Sequence, residues 1–185
     1  MADTSDFRTG FTMRHKGGLW SISEFQHVKP GKGPAFVRTK LKNIENGKVV
    51  EETFRAGEKV EEVRLEKRPF QYLYPDGEYY VFMNTETYEQ LQLHRDGLGD
   101  VIPYIKESDI CSVLLLEENP LTVEPPMTVE LEVTQTDPGV RGDTAQGGSK
   151  PATMETGLVV QVPLFIEEGE VLKIDSRTGK YLGRV

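Results

Sequence analysis

Hydrophobic and polar residues alternate along much of the chain, with the period of two that is typical of β-strands with one buried face. The clearest stretch is Thr128–Thr136, in which Val129, Leu131 and Val133 alternate with polar side chains. The best helix candidate, Leu98–Lys106, is weakened by Pro103. We therefore predict an all-β protein of small barrels or sandwiches. The other predicted strands are Leu19–Val28, Ala35–Leu41, Phe70–Tyr74, Tyr79–Met83, Gly157–Val162, Gly169–Asp175 and Tyr181–Val185.

Two stretches predict domain boundaries. Glu61–Arg68 is highly charged and precedes a new hairpin, whose turn is predicted at Pro75-Asp76-Gly77. Asn119–Met127 contains three prolines, which should prevent continuous strand pairing and form a stiff connector. We expect three small β-barrels in a row, with a long exposed loop at Gly139–Ser149. Their predicted ranges are 1–65, 66–127 and 128–185.

The loop between the first two predicted strands has an unusual composition. Its sequence, Lys29-Pro30-Gly31-Lys32-Gly33-Pro34, places two prolines and two glycines around a central lysine. Proline restricts φ and glycine admits positive φ, so the chain should reverse here in a restricted shape. Two interpretations stay open from the residues alone: a lysine displayed at the tip of a hairpin, or a plain hairpin turn.

The charge of the chain is polarised. The net charge is −8, yet residues 1–65 carry 12 basic and 9 acidic side chains, whereas residues 66–185 carry 10 and 21. Such polarity suits the docking of one end against phosphates, and an ordinary fluctuation of charge is the alternative. The stretch 26–42 has no acid and five cations, which are Lys29, Lys32, Arg38, Lys40 and Lys42.

The sequence contains no pattern of a self-contained catalyst. It lacks CxxC, HExxH and Walker A motifs, so we predict no metal, no cofactor and no enzymatic activity. The single cysteine, Cys111, lies in an apolar strand-like run and is expected to be a buried hydrophobic residue rather than a catalytic thiol. No signal peptide or membrane span is predicted, so we expect a cytoplasmic protein.

Three motifs fit one known family. The run from Lys150 to Gly169 has alanine at 152, glycine at 157, and the pair Val162-Pro163 with aliphatic residues at 160 and 166 on either side. It resembles the signature of bacterial translation elongation factor P. The segment 30–38 resembles the tip hairpin of that family, and 142–145 resembles its third-domain loop. The resemblance covers the whole chain in the same order.

The resemblance implies a fold and a function. The family has an N-terminal SH3-like (KOW-type) barrel and two OB-type barrels in an L shape similar to a tRNA. Its members bind the 70S ribosome, its rRNA and its ribosomal proteins, between the P and E sites. Their tip loop points at the CCA end of the peptidyl-tRNA. They stimulate peptide-bond formation and relieve stalling at consecutive prolines, while the ribosome performs the chemistry. We expect a monomer with no membrane partner.

The resemblance also implies roles for individual residues. Lys32 takes the tip position that a lysine-modifying enzyme extends in many relatives, presented by Pro30, Gly31, Gly33 and Pro34. Pro34 departs from the residue expected in well-known branches, so the modifying system does not transfer. The remaining implied ribosome- or tRNA-binding residues are Gly142, Asp143, Thr144, Tyr181 and Arg184 by the resemblance, and Arg38, Lys40 and Lys42 by their charge.

Several alternatives remain open from the residues. Tyr181 could pack in its strand, and the cations of 38–42 could form a solvated strand face. The chain could be a divergent member of the same superfamily with another ribosomal role. It could also be a general OB-fold RNA-binding protein, for which aromatic residues on a strand face are expected. The nearest candidates for that role are Tyr72, Tyr74, Tyr79 and Tyr80.

Overall fold

The computed structural model describes residues 1–139 and 148–185, which form sixteen strands in three sheets with little helix. The predicted all-β class is confirmed. The chain divides into two compact units. One contains residues 1–68, 93–99 and 113–122, and the other contains 69–92, 100–112 and 123–185. The predicted boundaries near residues 65 and 127 stay a prediction.

The N-terminal sheet has six strands in the order β1-β6-β2-β3-β4-β5. Its core is rich in aromatic residues, and the edge of the Phe7 ring meets the Phe54 ring at 5.3 Å. Phe11 and Met13 are also buried, so this sheet encloses its own hydrophobic core. The strands are β1 (Ala2–Asp3), β2 (Thr12–His15), β3 (Gly18–Val28), β4 (Phe36–Asn43), β5 (Val49–Arg55) and β6 (Lys59–Glu62).

The central sheet has five strands in the order β11-β10-β7-β8-β9. Asp76 pairs with Tyr79, so the turn consists of residues 77 and 78 rather than the predicted 75–77, with Gly77 at φ +62°. Left-handed backbone of this kind favours glycine. The strands are β7 (Glu66–Asp76), β8 (Tyr79–Asn84), β9 (Gln90–His94), β10 (Ile110–Leu116) and β11 (Asn119–Glu124).

The prediction of a proline-rich connector over Asn119–Met127 was wrong for most of its length. Asn119–Glu124 forms β11, and only Pro125, Pro126 and Met127 separate it from the next strand. Pro120 is tolerated because β11 lies at the edge of its sheet, where a missing N–H does not interrupt a ladder on both sides.

The predicted helix Leu98–Lys106 was wrong in its type and its bounds. One α-helical turn, α1, spans Arg95–Leu98, and a 3-10 helix follows over Gly99–Tyr104. Gly99 has φ +52°, which ends the α-helix. Pro103 then lacks the N–H that a longer α-helix would use.

The C-terminal sheet confirms the alternation that opened the sequence analysis. Val129, Leu131 and Val133 are 4%, 0% and 1% exposed, and they form the core with Leu172 and Ile174. Five strands have the order β14-β13-β12-β15-β16. They are β12 (Thr128–Thr136), β13 (Ser149–Met154), β14 (Val159–Pro163), β15 (Val171–Asp175) and β16 (Tyr181–Arg184). Most of the loop predicted at Gly139–Ser149 lies outside the described residues.

None of the helices among the described residues is long and apolar enough to span a membrane.

The separate cores predict local rather than global effects of mutation. Leu131→Ala should lower the free energy of unfolding of the C-terminal sheet by about 2–5 kcal/mol, because it leaves a cavity at a fully buried position. Hydrogen exchange should therefore accelerate in β12 and β15 and stay unchanged in β3 and β4. Val159→Ala is the control, since that side chain is 58% exposed and should cost less than about 0.5 kcal/mol. Equal acceleration in the N-terminal sheet would contradict separate cores.

Candidate functional site

The loop with the central lysine closes a long antiparallel hairpin. β3 and β4 pair from Trp20 opposite Asn43 to Val28 opposite Phe36, with one bulge between Ile22 and Glu24. β5 pairs along the other side of β4 as far as Phe36 opposite Arg55. The hairpin is therefore braced on the β4 side up to the residue at which the loop begins.

Lys32 lies at the closed end of this hairpin and is exposed. Gly31, Gly33 and Pro34 are exposed as well. Gly33 has φ +106°, a left-handed conformation that side chains with a Cβ rarely adopt. The loop is anchored where Ala56 donates its N–H to the Ala35 carbonyl at 3.1 Å. The geometry thus presents the lysine on a short loop between two paired residues.

The three cations of β4 share one face of the strand. Their neighbours Val37, Thr39 and Leu41 are buried, so Arg38, Lys40 and Lys42 point to the other side.

The surroundings of these cations differ. Lys40 lies 2.9 Å from Glu24 across the bulge, and the hydrogen bond to that carboxylate raises the pKa of the lysine. The Arg38 guanidinium lies 5.5 Å from the centre of the Phe36 ring, and Lys42 is exposed. Lys40 is therefore the least suited of the three to meet a phosphate.

The predicted C-terminal residues lie in the other compact unit. Tyr181 is half-buried and packs against the core of the C-terminal sheet, which supports the packing alternative left open for it. Arg184 donates to Glu170 at 3.0 Å and lies 5.0 Å from the centre of the exposed Phe165 ring. The pKa of Glu170 is lowered, first by the N–H of Glu167 and then by Arg184. The predicted residues Gly142, Asp143 and Thr144 lie outside the described residues.

The motif from 150 to 169 has a structural basis. Ala152, Val162 and Ile166 are at most 1% exposed, so they build the core of the C-terminal sheet. Gly157 and Gly169 have φ near +88° and +86°, which favours glycine at both turns.

Sequence reasoning assigned no role to Lys150, the first residue of that motif. Its side chain is 7% exposed, and Nζ donates to the Asp137 carbonyl. The signal was available, because a lysine two positions before the buried Ala152 falls on the core-facing side of a strand.

The Cys111 thiol is protonated at neutral pH and is therefore not a nucleophile. The side chain is 2% exposed, as predicted, and burial raises the pKa of its thiol to about 12, with a smaller effect from Asp109. In residues 1–139 and 148–185, no group of three or more His, Cys, Asp or Glu side chains is placed to hold a metal ion.

Family comparisons cover all three sheets. The family model described as the elongation factor P (EF-P) KOW-like domain matches residues 3–60, and the EF-P OB domain matches 65–123. The model described as elongation factor P, C-terminal, matches residues 129–184.

Relatives are similar to this chain in sequence over its whole length. Elongation factor P of Agathobacter rectalis is 54% identical over 185 residues, covering 100% of both chains. That of Thermoanaerobacter sp. strain X514 is 56% identical over 185 residues, again covering 100% of both. The solved structure of the eukaryotic translation initiation factor 5A from Methanococcus jannaschii is similar in fold, with a TM-score of 0.54 and 21% identity. It covers 67% of this chain and 91% of that one.

The two tip glycines should respond differently to substitution. Gly33→Ala should change the course of the loop, because an alanine at φ +106° is strained by about 1–3 kcal/mol. Gly31→Ala is the matched control, since its backbone is outside the left-handed region and a Cβ there meets nothing within 4 Å. NMR chemical shifts of Lys32 measure the change. Equal shifts in both variants would contradict the left-handed conformation of Gly33.

The Cys111 thiol should resist modification in the folded protein. At pH 8 a group with a pKa near 12 is almost wholly protonated, and the thiolate is the reactive form. We expect a disulfide reagent to label the native chain far more slowly than the chain in denaturant. Comparable rates would show that the thiol is accessible and ionised.

Proposed function

This chain belongs to the elongation factor P family, and from that premise we propose that it binds the ribosome between the P and E sites and stimulates peptide-bond formation. It relieves stalling at consecutive prolines. Its partners are the 70S ribosome and the peptidyl-tRNA in the P site. It acts as a cytoplasmic monomer of three domains, in the outline of a tRNA.

The observation that supports this proposal is the position of Lys32. The lysine is exposed, its loop is bounded by the pair Val28 and Phe36, and β5 braces β4 to the same level. A cation held in this way reaches into a narrow site without a bulky domain around it.

The tip lysine assists the reaction by positioning rather than by chemistry. Proline is a secondary amine in a constrained ring, so it attacks poorly, and its nascent chain misplaces the reacting ester. A stiff arm at the CCA end holds the P-site tRNA in a productive pose, and the removal of unproductive orientations lowers the barrier. The positive charge gains strength in a partly desolvated place near phosphates.

The ribosome supplies the catalytic groups in this proposal, so the factor itself is not an enzyme. Glu24 forms an ion pair with Lys40, so the cations of the hairpin best placed for RNA are Lys29, Lys32, Arg38 and Lys42. The acidic remainder of the chain limits non-specific adhesion to rRNA. Residues 142–144 and Arg184 provide further contacts with the ribosome or the tRNA, together with the part of Tyr181 that its packing against the core leaves exposed.

Lys32→Ala should lower the rate of synthesis through Pro-Pro-Pro by about tenfold or more, because the productive pose is lost. Lys48→Ala is the control: it removes the same charge at the opposite end of β4, in the turn before β5. Translation by purified ribosomes, with and without the factor, measures the effect. Equal rescue by Lys32→Ala and the parent protein would refute the role of Lys32.

The activity of Lys32→Arg and the intact mass of the native protein distinguish an unmodified Lys32 from a modified one. If the native protein has an unshifted mass and Lys32→Arg stays active, the charge alone suffices. A shifted mass and an inactive arginine variant would assign the function to a modified lysine.

A further inference from the structure

The end of β3 carries an exposed aromatic pair that the proposed function does not use. β2 pairs with β3 only over Gly18–Ser21, whereas β4 pairs with it as far as Val28. Past Ile22, five consecutive residues of β3, numbers 23–27, are exposed. A phenylalanine and a histidine occur in this part of the strand.

The two rings contact each other. Phe25 is 36% exposed, and its ring meets the His27 ring edge-on at 5.8 Å between centroids, with an interplanar angle of 89°. Phe25 lies opposite Thr39 and His27 opposite Val37, so both rings extend the core-facing side of the sheet beyond the core. One side of the pair rests on the sheet and the other is open to solvent.

The charge around the pair favours an anionic ligand. No acidic residue occurs from Phe25 to Ile44. Glu24, which precedes the pair, lies 2.9 Å from Lys40, and Glu52, opposite Thr39, lies 2.9 Å from Lys16. Glu24 and Glu52 are thus matched by lysines, and the third nearby carboxylate, Glu51, lies opposite Lys40 in the ladder. Lys29 and Lys32 follow the pair along the chain and are exposed.

We infer that Phe25 and His27 form a stacking site for an unpaired nucleobase of RNA, beside the tip lysine. Aromatic rings next to cations are the usual means by which proteins hold single-stranded nucleic acid, because every base has a stacking face. Lys32 is five positions after His27 in the chain, so their backbones are at most about 18 Å apart. A single-stranded RNA end therefore reaches both the ring pair and the lysine. This inference rests on the proposed function only where it identifies the RNA end as the CCA end of a tRNA.

The first test needs no ribosome. The full chain is titrated with a short single-stranded RNA ending in CCA, and NMR follows the ring resonances of Phe25 and His27. We expect upfield shifts of both rings with the single strand and none with a blunt duplex of the same length. Rings that do not shift, whether the RNA binds elsewhere or fails to bind at millimolar concentration, would overturn the inference.

Substitutions measure the contribution of stacking. Phe25→Leu should weaken binding of the single strand by about five- to 150-fold, whereas Phe25→Tyr keeps the aromatic face and stays within about twofold of the parent. Tyr88→Leu is the matched control, because it removes a 71% exposed aromatic side chain outside the hairpin. Hydrogen exchange in β3 and β4 verifies the fold of each variant. Parent-like binding by Phe25→Leu would overturn the inference.

The translation assay separates this inference from the proposed function. Ring shifts with RNA, together with a parent protein that does not relieve proline stalling, would remove the proposed function and leave the stacking site. Relief of stalling without ring shifts would remove the stacking site and leave the proposed function.

Discussion

The ladder between β3 and β4 is the interaction on which the position of the Lys32 loop depends. The two strands stay paired from the core, at Ile22 and Leu41, to Val28 and Phe36, where β3 is exposed. An isolated two-stranded ribbon is only marginally stable in water. Here β5 adds a third strand on the β4 side, and its buried Phe54 connects the end of the hairpin to the core. This support holds both ends of the short loop around Lys32 in a fixed position.

The bulge in β3 decides which chemistry each face of the hairpin carries. In a regular ladder Ser23 would face Lys40, but the extra residue brings Glu24 opposite that lysine. Because side chains alternate along a strand, a shift of one residue exchanges the faces of everything beyond it. The bulge therefore places Gln26 with Arg38 on one side and the rings of Phe25 and His27 on the other. One irregularity near the core therefore decides which side chains share a face of the hairpin several residues away.

The sequence predicted those features whose cause is local. Strict alternation places Leu131 in the core, and the prolines and glycines around Lys32 predict the reversal at the tip. The failures needed information about neighbours. Pro120 excludes a strand only if that strand is central, and its edge position follows from the order of the sheet. The partner of Lys40 likewise depends on a bulge that has no signature in the sequence of β3.

The residues that identify the family differ in kind from those to which the proposed function assigns a role. Ala152, Gly157 and Gly169 are required by a packed core and by left-handed turns, so any relative with this sheet needs similar residues. The exposed Lys32 satisfies no such structural requirement. Packing therefore does not fix the identity of this side chain, whereas it does fix the hairpin that carries it. The hairpin thus fixes where the loop lies, and the proposed function assigns the contact with the ribosome to the few exposed side chains at its end.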